Sequence, residues 1–321
     1  MVMNRRTFIA GLAGAAAWPL AARAQSHIKH FLVGVLDTSA RRGNVNFTAF
    51  EQTLRVRGYV EGENLSFEYR SADGRNDSFP ALATELARLG VDVIVTRGTP
   101  AALAAKAATA TIPVVMAAAG DPNAIARGAG NLTGFGANLE GAERKRVEAL
   151  KDLLPKATRI AALMNLSNPS RQTEWNAVAA AARALGIEPQ VLDTRTVADI
   201  ERAFAAAAGQ HADALVVGSD TIMQSNQKHV VELAAAHRLP AIYTFRDFVD
   251  AGGLISYGVS LPDLYQRAAA TVDSILRGAR PGDLPIAPAT GSELVINAGA
   301  AKALGLAIPD SVIARADAVV E

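Results

Sequence analysis

The chain has 321 residues, 50% of them hydrophobic and 20% charged, with 32 basic against 31 acidic residues and no cysteine. Such a length allows about two domains and buries enough surface to hold a core without disulfides. The missing cysteines exclude thiolate metal sites, iron–sulfur clusters and thiol nucleophiles, and the even charge argues against a protein that coats nucleic acid.

The first 24 residues read as an export signal. Residues 4–9 are NRRTFI, a small-residue apolar stretch follows, and Ala22, Arg23 and Ala24 form an A-x-A cleavage site. The paired Arg5 and Arg6, followed by Thr7 and Phe8, predict a twin-arginine signal, cleavage after Ala24 and a periplasmic mature protein. Pro19 breaks the apolar stretch, and no later run approaches the ~18 uninterrupted apolar residues of a membrane span. Cleavage removes three arginines and no acid, which leaves the mature chain at a net charge of −2.

Beyond the signal, short apolar runs alternate with segments of helical period, the pattern of a parallel sheet wrapped by helices. A strand is predicted over 31–36, then a helix over 45–56 with Phe47, Phe50 and Leu54 on one face and Gly58 at its end. An extended stretch over 65–69, a helix over 79–89 and a strand over 91–96 follow. Thr99 and Pro100 open the next helix, with Thr99 expected as its N-cap, and 112–117 is a strand. From residue 157 the order returns. A strand over 159–164 leads to a helix through Trp175 and Val178 that ends at Gly186, a strand over 190–192 and a helix over 197–207. A strand over 214–217, a helix through Val230 and Leu233 and a strand over 240–243 complete it. Asp92-Val-Ile-Val and Pro113 in the first half correspond to Asp213-Ala-Leu-Val and Pro240 in the second. A repeat of about 120 residues has the size of a domain, so the expected fold is α/β with two doubly wound Rossmann-like lobes.

LTGFG at 132–136 and GLISYG at 253–258 stand where each half stops and are expected to cross between the lobes. Repeated crossings make a multi-segment hinge, and the cleft above it is a preferred site for a small ligand. Ligands of such sheets bind outside the carboxyl ends of the strands. The candidate binding residues there are Asp37, Thr38 and Ser39, then Gly98 and Thr99, then Asp121, in the first half. In the second they are Asn165, Ser167, Asp220, Tyr243 and Tyr257. Each small polar residue can equally be a helix cap, and each tyrosine core packing. Gly98, Thr99 and Ser39 are expected to cradle an anionic group at a helix start, and Asp220 to accept from an ammonium or hydroxyl. That combination favours an amino acid over a neutral sugar.

No metal or catalytic constellation is present in the sequence. The five histidines, His27, His30, His211, His229 and His237, lack carboxylates at ligand spacing, and there is no G-x-S-x-G, Walker A or G-x-G-x-x-G string. No metal and no cofactor are expected.

The strings GYVEGENLSFEYRSADG (58–74), LATELARLGVDVIVTRGTPAALAAKAATATIPVVM (82–116), RLPAIYTFRDFVDAGGLISYGVSLPDLYQRAA (238–269) and ELVINAGAAKALGLAIPDSVIARAD (293–317) carry a resemblance. They resemble the ABC-transporter substrate-binding protein family that includes tryptophan and tyrosine binders, over nearly the whole mature chain. The resemblance implies the type I periplasmic-binding-protein fold with a three-segment hinge. It also implies a small-molecule ligand between the lobes, an ABC permease in the inner membrane as partner, no nucleic acid, and a monomer. The lobes are expected at 28–135 plus 258–283 and at 136–257 plus 284–321. In many relatives the Gly-Asp-Pro at 120–122 leads into a longer arm, where this chain has the shorter NAIARGAGN at 123–131, so the ligand's identity does not carry over. A periplasmic two-lobed enzyme acting on a small carboxylate is the alternative, and it needs an acid–base pair among Asp37, Asp121 and Asp220. A ligand-sensing core of a transcription regulator shares the fold, but the export signal and the lack of a helix-turn-helix before Phe31 speak against it.

Overall fold

Buried apolar strands and one-faced helices alternate along the computed structural model, which describes residues 29–321; the export signal and its cleavage site lie outside the described residues. The first sheet begins with β1 (Phe31–Asp37), β2 (Leu65–Ser71), β3 (Val93–Arg97), β4 (Val114–Ala119) and β5 (Leu132–Gly136). All pair in parallel, in the order β2-β1-β3-β4-β5. The second repeats it as β7-β6-β8-β9-β10, from β6 (Arg159–Met164), β7 (Glu188–Asp193), β8 (Ala214–Val217), β9 (Ala241–Tyr243) and β10 (Ile255–Gly258). Then β11 (Ile286–Ala287) returns to the first sheet beside β5, while β12 (Glu293–Asn297), antiparallel to β10, and β13 (Ala318–Val320) extend the second. Two doubly wound α/β lobes result.

The helices follow from caps and periodicity. In α1 (Val45–Val56) Asn44 caps the start, its side-chain oxygen accepting from the Asn46 and Phe47 amides, and Phe47, Phe50 and Leu54 are buried. With α11 (Leu261–Leu276) this helix covers one face of the first sheet, and α2 (Phe79–Leu89) and α3 (Thr99–Ala108) cover the other. Between them in sequence lie α4 (Pro122–Ala126), α5 (Ala142–Leu153), α6 (Pro169–Ala184), α7 (Val197–Gly209), α8 (Thr221–Ser225), α9 (Gln227–Ala236) and α10 (Asp247–Asp250). On the second sheet α5 and α6 pack on one face, and α7 and α9 on the other. Covering both faces explains why strands such as β3 (VIVTR) are buried at every position.

Two sequence expectations shift. LTGFG is strand β5 itself and the ISYG part of GLISYG is strand β10, so the chain crosses between lobes just after each. Because β11 pairs with Gly134 and Phe135 of β5, the chain stays with the first lobe through Ala287, and the boundary expected at 283/284 falls between Ala287 and Glu293. Near the second crossing a Cβ on Gly258 would lie 1.9 Å from the Thr244 carbonyl oxygen, so the two backbones pass where only glycine fits.

Candidate functional site

Strand order reverses between β1 and β3 in one sheet and between β6 and β8 in the other, and the loops after these strands face each other. The lobes touch there directly. Ser225 Oγ donates to the Thr38 carbonyl at 2.6 Å, Arg97 Nη2 donates to Gln224 Oε1 at 2.7 Å, and the Thr99 and Ser170 hydroxyls meet at 2.9 Å. These contacts close the cleft around a cavity of about 50 Å³, with larger grooves on either side.

From the first lobe the cavity is lined by Thr38 and by the start of α3. Gly98, at φ +86°, occupies the cap position of that helix and Thr99 is its first residue, contrary to the cap expected of Thr99. The Thr99 hydroxyl is thereby free to accept from the Gly120 amide at 3.0 Å and to face Ser170. A Cβ on Gly120 would come within 2.4 Å of Ser170 Oγ, so glycine there permits closure.

From the second lobe comes Asp220, 4% exposed. Its carboxylate accepts from Asn165 Nδ2 at 2.8 Å, Asn168 Nδ2 at 2.7 Å and the Ile222 amide at 3.3 Å, and Asn76 of the other lobe reaches it at 3.4 Å. Every one of these donors is neutral.

Other residues expected at the site serve it from outside or not at all. Asp37 is fully buried and its acceptor capacity is taken up by Tyr265 Oη at 2.5 Å, the Thr38 and Ser39 amides at 2.6 and 3.2 Å, and Asn44, with Arg97 at 3.8 Å. It shapes the loop rather than facing the cavity. Ser39 lines an outer groove, and Asp121 caps α4 through the Ala124 amide and lines the opposite groove. Asn165 holds Asp220 and accepts from Ser167 Oγ at 2.5 Å, which places Ser167 one step further back. Tyr243 is core, its ring stacked on Phe248 at 4.8 Å, and burial pushes its phenol pKa well up. Tyr257 turns its hydroxyl to Ser292 at 3.0 Å, away from the cavity. Thr38, Gly98, Thr99 and Asp220 are the expected residues that line it.

The sequence reading missed Arg97, Arg171 and Gln224 as cavity-lining residues, whereas Asn168 and Ser219, which line it too, stand in the strand-end loops it pointed to. Arg97 left a signal, a lone charge at the carboxyl end of an otherwise apolar strand. Burial opposes its charge, but Asp37 and Asp247 outweigh this and hold its pKa above the ordinary value. Arg171 pairs with Glu174 one turn on and donates to Ser219 Oγ at 2.7 Å. Glu174 also accepts from Arg146 at 3.3 Å, and Arg146 in turn bonds Glu143 and the Tyr257 carbonyl. Burial lowers the Arg171 pKa to about 10 although Asp220 lies near. In sequence this i,i+3 pair looks like an ordinary exposed helix pair, so nothing marked it.

Residues 44–320 match the family model described as ABC transporter substrate binding protein. The chain is 26% identical over 263 residues to a tyrosine-binding protein of Clostridioides difficile strain R20291, covering 80% of this chain and 75% of that one. It is similar to a conserved domain protein of Vibrio cholerae O1 biovar El Tor, at 28% identity and a TM-score of 0.83 over 91% of this chain and all of that one. It is also similar to an ABC domain from Streptococcus pneumoniae in complex with L-Trp, at 25% identity and a TM-score of 0.82 over the same shares. With the match spanning both lobes and the hinge, the chain belongs to the ABC transporter substrate-binding protein family.

Proposed function

We propose that this chain is the periplasmic solute receptor of an ABC importer, enclosing an amino acid or a similar small carboxylate between its lobes without chemistry and delivering it to an inner-membrane permease. The carrying observation is Asp220. A carboxylate taken out of water normally pairs with a cation, and this one takes all its hydrogen bonds from amides while lining the cavity, with the guanidinium of Arg171 near but not bonded to it. A ligand ammonium completes it, and the start of α3, where the Gly98 amide is taken by the Ala118 carbonyl and Pro100 has no N–H, offers the Thr99 amide and a positive dipole end to the carboxylate of the same molecule. The relatives that are a tyrosine-binding protein and an L-Trp complex support an amino acid.

A catalyst on this scaffold needs two acid–base groups meeting at the substrate. Asp37 is saturated inside the first lobe and Asp121 sits in an outer groove, which leaves Asp220 alone of the three at the cavity. No helix among the described residues is long and apolar enough to cross a membrane, consistent with delivery by a mobile receptor. A thermal-shift screen of the chain without residues 1–24 against amino acids, aromatic acids, other small carboxylates and sugars tests the proposal. A ligand that binds only the folded state raises Tm, and a screen in which sugars raise it while no carboxylate does would refute the reading.

A further inference from the structure

Resting on the amino-acid reading above, we propose that the cavity takes an amino acid whose short side chain ends in a carbonyl oxygen, a carboxylate or a carboxamide, in preference to an aromatic one. Gln224 and Arg171 both line the cavity and are 5% and 4% exposed. Gln224 Nε2 and Arg171 Nε are buried without any hydrogen-bond partner among the described residues. The orientation of the Gln224 amide is fixed, since its Oε1 accepts from Arg97 Nη2 at 2.7 Å and from Gln227 Nε2 at 3.2 Å, which leaves Nε2 over. On Arg171, Nη1 is occupied by Glu174 and Ser219. A buried donor with no acceptor is costly, and a ligand that brings an oxygen recovers that cost.

With the α-carboxylate at the start of α3 and the α-ammonium at Asp220, the remaining donors have only the ligand's side chain to meet. Arg97 adds a third, bonded within the chain through Gln224 and a 3.5 Å contact to Ser39 Oγ. An indole brings a donor and no acceptor, so it would leave Gln224 Nε2 and Arg171 Nε unpaired, and a phenol brings a single oxygen for the two. Phe245 is the one aromatic ring among the lining residues, which leaves a flat side chain little to stack on.

Titration calorimetry of the wild type with L-aspartate, L-asparagine, L-glutamate and L-glutamine, set against L-tryptophan, L-tyrosine and L-leucine, tests this. The tightest binder is expected in the first group, by about tenfold or more over any of the second, and its identity separates carboxylate from carboxamide. Gln224→Glu keeps an oxygen toward Arg97 but turns the spare donor into an acceptor, and should weaken that ligand by about tenfold or more. Unchanged affinity in a folded Gln224→Glu protein overturns the inference. So does a member of the second group that binds as tightly as any of the first, although the amino-acid reading then survives. Failure of every amino acid to bind overturns both together.

Discussion

The hydroxyl groups of Thr99 and Ser170 lie 2.9 Å apart, one at the start of α3 in the first lobe and the other at the start of α6 in the second. The approach depends on Gly120, whose amide donates to Thr99 Oγ1 and whose missing side chain leaves room for Ser170. Gly120→Ala should therefore wedge the lobes apart. A binding-competent closed state populated less often weakens apparent affinity by that fraction. Calorimetry should show weaker binding of whichever ligand the screen finds, and solution scattering a larger radius of gyration with ligand than the wild type shows. Equal radii and equal affinities would remove this contact from closure.

At the hinge, Gly258→Ala forces a methyl group against the Thr244 backbone, which cannot move aside as a side chain can. Overpacking of this kind costs about 1–3 kcal/mol. Thermal or urea unfolding should show a loss of that size, and a variant as stable as the wild type would contradict the close approach.

Asp273 in α11 accepts from Arg57 at 2.9 Å, from Tyr59 Oη at 3.0 Å and from Arg277 at 2.5 Å. Burial pushes its carboxyl upward, but the hydrogen bonds from Arg277, Tyr59 and Arg57 outweigh burial and hold the pKa below the ordinary aspartate value. A depressed folded pKa adds stability above the unfolded value of about 4, and that stability is lost as pH falls through the folded one. Asp273→Asn should lower Tm at neutral pH and narrow the Tm difference between pH 7 and pH 3. An undiminished difference would show that this carboxylate does not contribute to acid sensitivity.

Local signals carried most of the fold. The bounds expected for α1 and α2, and for β6 and β8, are those of the structure, because their apolar faces and end residues are neighbours in sequence. The duplication reads equally well. Asp92 accepts from the Leu32 amide of β1 and Asp213 from the Arg159 amide of β6, so each aspartate ties the start of one strand to the next in both lobes. What sequence could not show were contacts made across the chain. Asp37 looked available until Tyr265, 228 residues on, claimed it. Arg97 and Gln224 meet over 127 residues, and the pairing of β11 with β5 rests on a two-residue strand too short to carry a period.

Calorimetry of the wild type and Asp220→Ala with the best ligand from the screen addresses the binding mode most directly. If the ligand's ammonium is what completes this buried carboxylate, the substitution should weaken binding by about 2–5 kcal/mol, with an unfolding transition that stays cooperative. Unchanged affinity in a folded Asp220→Ala protein would place the ligand elsewhere and contradict the amino-acid reading of the cleft.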